Sequence, residues 1–123
     1  MSLDPKHAMA HINLGALLQN ERKDYAGAEK LYRKAIELDS NYAMAHNNLG
    51  SLLHTVRKDY DGAERHYRKA IELNPKAYAC WNLSLILENQ KNDIPGAVKL
   101  VEECVRLGRA NCEDRLARLR AKL

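Results

Sequence analysis

The stretch Tyr32-Arg33-Lys34-Ala35-Ile36-Glu37-Leu38 returns unchanged as residues 67–73, 35 residues further along the chain. The similarity extends towards the N-terminus, where Ala8-Met9-Ala10-His11 returns as residues 43–46 and Asn13-Leu14-Gly15 returns as residues 48–50. About two-thirds of the positions in the two segments are identical. A fixed period of this length indicates a repeat architecture, in which each unit packs mainly against its neighbours.

A third, more divergent copy follows the first two. The segment Asn82-Leu83-Ser84 stands 34 residues after Asn48-Leu49-Gly50, and Gly96-Ala97 stands 34 residues after Gly62-Ala63. We therefore predict one domain with repeats at residues 4–38, 39–73 and 74–107. Since a single hairpin cannot bury both of its faces, three repeats are near the minimum for a stable stack.

Each repeat is predicted to form two helices. The first helices are expected to begin at Asp4, at Asp39 or Ser40, and at Asn74, and the second helices at Asp24, Asp59 and Asp93, because Asp, Asn and Ser are favoured N-caps. Links of two or three polar residues, such as Arg22-Lys23, make the two helices of a repeat antiparallel neighbours. The sequence therefore predicts an all-α fold.

Small residues recur at one position in the middle of each first helix. Glycine there costs about 1 kcal/mol relative to alanine, so its recurrence indicates a close approach of a neighbouring helix. We expect the neighbour to be the second helix of the same repeat, at its own small residues. The proposed pairs are Gly15 with Ala28, Gly50 with Ala63, and Ser84 with Ala97.

Residues 110–123 are predicted to form a helix that caps the third repeat. Gly108 is expected to end the preceding helix, and Asn111 is a plausible N-cap. Leu116, Leu119 and Leu123 would form the buried stripe, and the basic residues would lie off it: Arg115, Arg118, Arg120 and Lys122. The alternative for a basic amphipathic helix is membrane or nucleic-acid binding.

Composition narrows the class of protein. Hydrophobic residues make up 46% and charged residues 29% of the 123 residues, which excludes a disordered or membrane-spanning chain. The net charge is +4, with both signs interspersed rather than clustered as in a nucleic-acid interface. The first residues show no basic flank followed by an apolar segment, so we expect no signal peptide. Three cysteines without a CxxC pair favour free thiols in a reducing compartment. We expect a cytoplasmic or otherwise intracellular protein.

These residues resemble the tetratricopeptide repeat family over residues 4–107. The shared signature is Asn-Leu-Gly, then Asp-Tyr-x-x-Ala, then Tyr-x-x-Ala-Ile-x-Leu-x-Pro. The chain departs from the family in an added residue between the helices of a repeat, and in His11, His46 and Cys80 where the family has a large aromatic residue. The resemblance implies a right-handed superhelical solenoid, whose first helices line a concave groove that binds peptides or partner proteins. It also implies a scaffold rather than an enzyme.

Three asparagines occupy one register on the predicted first helices: Asn13, Asn48 and Asn82. An asparagine amide can bond both the N–H and the C=O of an extended peptide. The pattern resembles the asparagine ladder in the repeat region of O-linked N-acetylglucosamine transferase. The alternative is that these amides only cap local backbone or order the contacts between repeats.

The same face is predicted to carry further contacts for an extended peptide. Exposed methionine and aromatic side chains suit adaptable or anchoring contacts. Trp81 lies one position later than the family's aromatic, which turns it towards the groove; the alternative is packing against the preceding repeat. The remaining candidates are Met9, Met44, Tyr78, Asn47, Ser51 and His54.

Other functions are less well supported by the sequence. The family's carboxylate clamp for chaperone tails needs cations at the positions of Ile12, Tyr78 and Asn82 and asparagine at those of Ala16 and Asn48, and only Asn48 agrees with it. No catalytic, HExxH or phosphate-binding motif appears, so we predict no enzyme, metal site or cofactor. Two alternatives remain open: homo-oligomerisation as an assembly segment of a longer array, and, more remotely, binding of single-stranded RNA.

Overall fold

A computed structural model describes residues 5–74, 79–108 and 112–123 of the chain. Within these ranges no residue lies in a β-strand, and no helix is long and apolar enough to cross a membrane. One turn of π-helix, Leu53–Arg57, extends the third helix. The helices are α1 (Pro5–Asn20), α2 (Tyr25–Leu38), α3 (Ala43–Leu52), α4 (Tyr60–Leu73), α5 (Ala79–Asn89), α6 (Ile94–Arg106) and α7 (Glu113–Arg120).

The helices pack as successive hairpins in chain order. Helix α1 packs on α2, α3 on α4 and α5 on α6, while α2 and α4 pack on the first helices of the repeats that follow them. The first helices also contact one another, α1 with α3 and α3 with α5, more than the described second helices do. The array therefore curves with α1, α3 and α5 on its inner side. This confirms the predicted all-α solenoid; the exact repeat boundaries stay a prediction.

The predicted starts of the second helices are confirmed. Asp24, Asp59 and Asp93 are the N-caps of α2, α4 and α6. Each carboxylate accepts a hydrogen bond, at 2.9–3.0 Å, from the backbone N–H of the glycine three residues later. Such a cap satisfies one of the four N–H groups that a helix leaves without a partner at its start.

The predicted starts of the first helices fare differently. Helix α3 begins after Tyr42, which makes no side-chain cap, so both Asp39 and Ser40 were wrong. Asp39 instead ends α2, and its carboxylate accepts the N–H of Asn41 at 3.1 Å. Asn74 ends α4, while Asp4, the segment that follows Asn74, and Asn111 lie outside the described residues.

The residue added to each repeat is accommodated in the link between its two helices. Lys23, Lys58 and Asn92 adopt left-handed backbone conformations there, with φ of 56°, 57° and 51°. The N–H of the aspartate that follows each of them bonds to the carbonyl six residues earlier, at 2.7–2.9 Å. In the Schellman motif, a common helix ending, the corresponding N–H bonds to the carbonyl five residues earlier. The hydrogen-bonded turn seen here is therefore one residue longer. The link with the inserted residue therefore has the same left-handed residue and the same hydrogen bond in all three repeats.

The nearest neighbours of Gly15 and Gly50 on the first helices are tyrosine rings rather than the side chains of the predicted alanines. A Cβ atom on Gly15 would lie 2.7 Å from the ring of Tyr32, and one on Gly50 would lie 2.9 Å from the ring of Tyr67. The predicted partner Ala63 is also close, with its backbone oxygen 3.3 Å from such a Cβ on Gly50. The expectation of a close helix approach was therefore right, but its cause is a fully buried tyrosine on the second helix.

Helix α7 packs on α6 through Leu116 and Leu119, which are buried as expected. Two details of the predicted stripe were wrong. Leu123 follows the helix and is 71% exposed, whereas Arg115 is buried and only 7% exposed. The buried face of α7 is thus partly polar, because Arg115 finds partners on α5 that are described below.

Cys80 and Cys104 form a disulfide that joins α5 to α6. The prediction of three free thiols was therefore wrong, and only Cys112, which is buried, is free among the described residues. The inference from free thiols to a reducing compartment loses its basis. Equivalent positions hold His11 with Ala35 in repeat 1 and His46 with Ala70 in repeat 2, so both partners change together in repeat 3.

Candidate functional site

The three asparagines predicted to form a ladder lie on α1, α3 and α5, the inner helices of the array. Asn13 is exposed, and Asn48 and Asn82 are half-buried. Asn13 and Asn48 are 35 residues apart and Asn48 and Asn82 are 34 apart, so each takes the same place in its repeat. Their side chains make no hydrogen bond to any described residue, which leaves both N–H groups and the oxygen of each amide available to a ligand.

Two methionines lie four residues before the first two asparagines on the same helices. Met9 is 48% exposed and Met44 is 51% exposed, although each is a large apolar residue. Their thioether side chains are flexible and can adapt to the shape of an apolar ligand group. Tyr78, at the equivalent place in repeat 3, lies outside the described residues.

Asn47 carries a polar atom without a partner. The residue is half-buried, and its Oδ1 atom is buried with no hydrogen bond to the described protein. A buried oxygen in this state costs about 1–3 kcal/mol unless a donor reaches it. Ile12, at the equivalent place in α1, is instead buried at 1% exposure and belongs to the core.

Ser51 and His54 interact with the core tyrosine of their own repeat. The Tyr67 hydroxyl lies 3.5 Å from His54 Nδ1, and burial raises the pKa of Tyr67 to about 12, a rise that the nearby Ser51 side chain partly offsets. The His54 ring meets the rings of Tyr60 and Tyr67 edge-on, with centroids 5.8 and 6.2 Å away. Burial, and then the charge of Lys58, lower the pKa of His54 and favour its neutral form. Ser51 and His54 therefore pack against the core tyrosine Tyr67 and also lie at the inner face.

Trp81 is half-buried, and a residue of the capping helix covers it. The guanidinium carbon of Arg115 lies 5.5 Å from the centroid of the Trp81 ring, within the range of a cation–π interaction. Arg115 Nε donates to Ser84 Oγ at 2.7 Å, and its Nη2 donates to Glu88 at 2.8 Å. Trp81, on α5, is therefore covered by Arg115 of α7 at the C-terminal end of the inner face.

Arg115 takes the place of a tyrosine hydroxyl in the third repeat. In repeat 1 the Tyr32 hydroxyl donates to Gln19 at 2.9 Å, and in repeat 2 Tyr67 approaches His54. The equivalent residues in repeat 3 are Val101, which has no hydroxyl, and Glu88. Sequence reasoning missed this role of Arg115, although the loss of the tyrosine together with the change from glycine to Ser84 signalled a different partner there.

Glu88 concentrates the charge at this end of the face. Its side chain is 9% exposed and pairs with Lys122 as well as with Arg115. Hydrogen bonds from Lys122 and then from Arg115 lower the pKa of Glu88, so that it is ionised at neutral pH. The other candidate residues that the structure describes on this face present amide, hydroxyl, imidazole and thioether groups, which can bond main-chain and apolar groups.

A histidine pair that the sequence did not predict joins α3 to α4. His46 Nε2 lies 2.9 Å from the Ser40 carbonyl oxygen, which can only accept, so Nε2 carries the proton in neutral His46. Its Nδ1 then accepts from His66 Nδ1, 3.2 Å away. Burial, and then the charges of His46, Arg33 and Arg65, lower the pKa of His66 to about 4. This pair is a structural link between two helices.

Comparisons with known proteins agree with this architecture. A family model described as TPR repeat matches residues 20–56, and one described as tetratricopeptide repeat matches residues 55–111. The two matches together cover most of the chain. Among curated proteins, none matches the sequence.

Two solved structures are similar to the chain as a whole. The N-terminal domain of stress-induced protein-1 (STI-1) from C. elegans superposes with a TM-score of 0.80 at 24% identity, over 94% of this chain and 96% of that one. At this identity the likeness concerns the fold alone. MamA superposes with a TM-score of 0.75 at 25% identity, over 90% of this chain but 64% of that one. The chain therefore spans less than two-thirds of the MamA chain.

Proposed function

The chain belongs to the tetratricopeptide repeat family, and from that premise we propose that its concave face, formed by α1, α3 and α5, binds an extended peptide of a partner protein. As a member of this family the chain is a protein–protein interaction scaffold. The proposal assigns it no catalytic role.

The observation that carries the proposal is the register of Asn13, Asn48 and Asn82, whose amides have no hydrogen-bond partner among the described residues. If these amides served to cap helices or to order the contacts between repeats, they would bond to neighbouring backbone. Amides that are instead open in all three repeats can each bond one peptide unit of an extended ligand. This geometry provides affinity for main chain without fixing the ligand's sequence.

The residues around the three asparagines indicate the polarity and charge of the proposed peptide ligand. Met9 and Met44 offer exposed apolar contacts to a ligand. Of the positions where a carboxylate clamp would need cations, the structure describes Ile12, which is buried, and Asn82, which is uncharged. We therefore expect an uncharged or weakly charged peptide with apolar side chains, rather than an anionic chaperone tail.

The test is a random-peptide display selection on the wild-type chain and on the triple variant Asn13→Ala, Asn48→Ala, Asn82→Ala. Circular dichroism first establishes that the variant is folded. We expect the wild type to enrich peptides and the triple variant to lose at least about tenfold in affinity for them, since each lost hydrogen bond is worth about 0.5–1.5 kcal/mol.

The matched control is Asn41→Ala with Gln90→Ala, which removes two exposed amides that lie between helices rather than on the inner face. This control should bind the selected peptides like the wild type. Equal binding by the triple variant would remove the asparagine ladder. A wild type that enriches no peptide would remove the concave face as a free-standing peptide site.

A further inference from the structure

Helix α1 exposes an apolar stripe on the side that faces away from α3. The stripe consists of Ala10, Leu14 and Leu17, which follow one another at helical spacing. Ala10 is exposed, Leu14 is 48% exposed and Leu17 is 50% exposed. Asn13 precedes Leu14 and is therefore turned by about 100° from it, so the stripe is distinct from the concave face.

The equivalent residues of the other first helices are completely buried. Their exposure is 0% at all six positions, namely Ala45, Leu49 and Leu52 in α3, and Ala79, Leu83 and Ile86 in α5. The preceding hairpin covers them, because α3 packs on α1 and α2, and α5 packs on α3 and α4. The α1 stripe thus has the composition of a surface that this fold buries wherever a neighbour is present.

Charge indicates which surface of this protein fits the stripe. Residues 8–20 contain no Asp, Glu, Lys or Arg, so two such helices can meet without repulsion. The opposite end of the array is unsuitable, because the exposed side of α7 carries Glu113, Asp114, Arg118 and Arg120. A head-to-tail stack would bury those charges against leucine, whereas an isologous contact pairs apolar groups with one another.

We propose that the stripe is a self-association surface, where α1 of one copy packs antiparallel on α1 of a second copy about a two-fold axis at Leu14. In this arrangement Leu14 meets Leu14 of the other copy, and the small Ala10 lies opposite Leu18. With the axis at Leu14, residues 8–20 of the two copies lie opposite one another, and this segment contains no Asp, Glu, Lys or Arg. Two-fold closure limits the assembly to a dimer.

One pair of helices buries less surface than a standard interface, so the dimer is expected to be weak, with a dissociation constant of about 10–100 μM. Light scattering coupled to gel filtration, from about 1 μM to about 200 μM protein, measures it. The wild-type mass should rise towards twice the 14.0 kDa of one chain. A mass that stays at one chain, or that grows beyond two, would overturn the proposal.

Paired variants locate the surface. Leu14→Gln with Leu17→Gln should keep the chain monomeric over the whole range. Met9→Gln with Met44→Gln removes side chains of similar exposure from the concave face and should leave the dimer intact. If the methionine variant becomes monomeric while the leucine variant still dimerises, the concave face is the contact and the α1 stripe is not.

A cross-link tests the two-fold axis itself. Residue 14 lies next to its own counterpart in the proposed dimer, so Leu14→Cys should form a disulfide between copies under mild oxidation. Ala117→Cys, on the exposed side of α7, is the matched control and should give monomers on a non-reducing gel. Equal cross-linking of the two variants would contradict the register. Because neither test uses a peptide ligand, the proposed peptide site can fail without affecting them.

Discussion

Gly50 determines how closely α4 can approach α3. Replacing it with alanine would place a Cβ 2.9 Å from two ring atoms of Tyr67 and 3.3 Å from the backbone oxygen of Ala63. Alanine favours a helix by about 1 kcal/mol over glycine, but overpacking a core costs about 1–3 kcal/mol. We expect Gly50→Ala to lower the free energy of unfolding by about 1–2 kcal/mol, measured by urea denaturation.

The third repeat supplies the control for this prediction. It pairs Ser84 with Val101 where the second pairs Gly50 with Tyr67, so a smaller side chain on one helix accompanies a larger one on the other. In a Tyr67→Val background, Gly50→Ala should therefore be neutral or stabilising. An equal cost in both backgrounds would show that the ring is not the obstacle.

His66 makes the stability of α3 and α4 depend on pH. Its pKa is about 4 in the folded chain, against an ordinary value of 6.5, so between these values only the unfolded chain binds the proton. Stability should therefore fall as the pH decreases through this window. Between pH 7 and pH 5 we expect a loss of about 1 kcal/mol, since partial exposure screens the charge.

The variant His66→Asn tests this assignment, because asparagine cannot take up the proton. Urea denaturation at pH 7 and pH 5 should show a smaller difference for the variant than for the wild type. If both lose the same stability, the proton is taken up elsewhere in the chain.

Residue identities could be predicted from the sequence where the period alone decides them. The common register of Asn13, Asn48 and Asn82 follows from counting, and so do the capping aspartates of the second helices, because a short polar side chain before a helix has a local purpose. The partner of Gly50 could not be found in this way. Spacing indicates that something lies close to a small residue, whereas the identity of the facing ring depends on the rotation of a second helix about its own axis.

Helix α7 is attached by a buried ionic contact as well as by its leucines. Arg115 and Glu88 have side-chain exposures of 8% and 9% and lie 2.8 Å apart. Removing one member of such a pair leaves the other charge buried, at a cost of about 3–5 kcal/mol when no other partner exists. Since Lys122 also pairs with Glu88, we expect Arg115→Ala to cost about 2–3 kcal/mol by urea denaturation.

Arg118→Ala is the matched control, because it removes the same side chain from the exposed face of the same helix. A surface change of this kind usually alters stability by less than about 0.5 kcal/mol. Similar losses from both variants would mean that net charge, rather than the contacts of Arg115 with Ser84 and Glu88, stabilises the cap.

The spacing of leucines in α7 predicted that this helix caps the third repeat. It did not predict that Arg115 would be buried in a polar contact. A helical pattern assigns arginine to the solvent side, because burial of an unpaired charge is costly. Arg115 departs from this pattern because repeat 3 lacks the core tyrosine and provides Ser84 and Glu88 as partners. The disulfide between Cys80 and Cys104 was missed for a related reason. The 24-residue separation of these two cysteines matches no known cysteine motif. They come together only because α5 packs against α6.

The molecule as a whole behaves as a stack with two different ends. Its architecture was predictable because every repeat packs against its neighbours in the same way, and the residues that make these contacts recur in the sequence. The packing at each end of the array occurs only once, so the repeat period of the sequence does not predict it. At the C-terminal end α7 covers α6 and the disulfide joins α5 to α6, whereas at the N-terminal end Leu14 and Leu17 remain exposed.

This asymmetry predicts a gradient of local stability along the stack. In a linear array each repeat is stabilised by its neighbours, and α1 has a neighbour on one side only. We expect the amides of α1 to exchange hydrogen faster than those of α3, by about tenfold or more, in mass-spectrometric exchange at low protein concentration. Helices α3 and α1 share most of their sequence, so intrinsic exchange rates differ little and α3 is the internal control.

At concentrations where the proposed dimer forms, protection of α1 should rise while that of α5 stays constant. Uniform protection at every concentration would show that the stack opens as a single unit, and that the exposed stripe does not weaken its first helix.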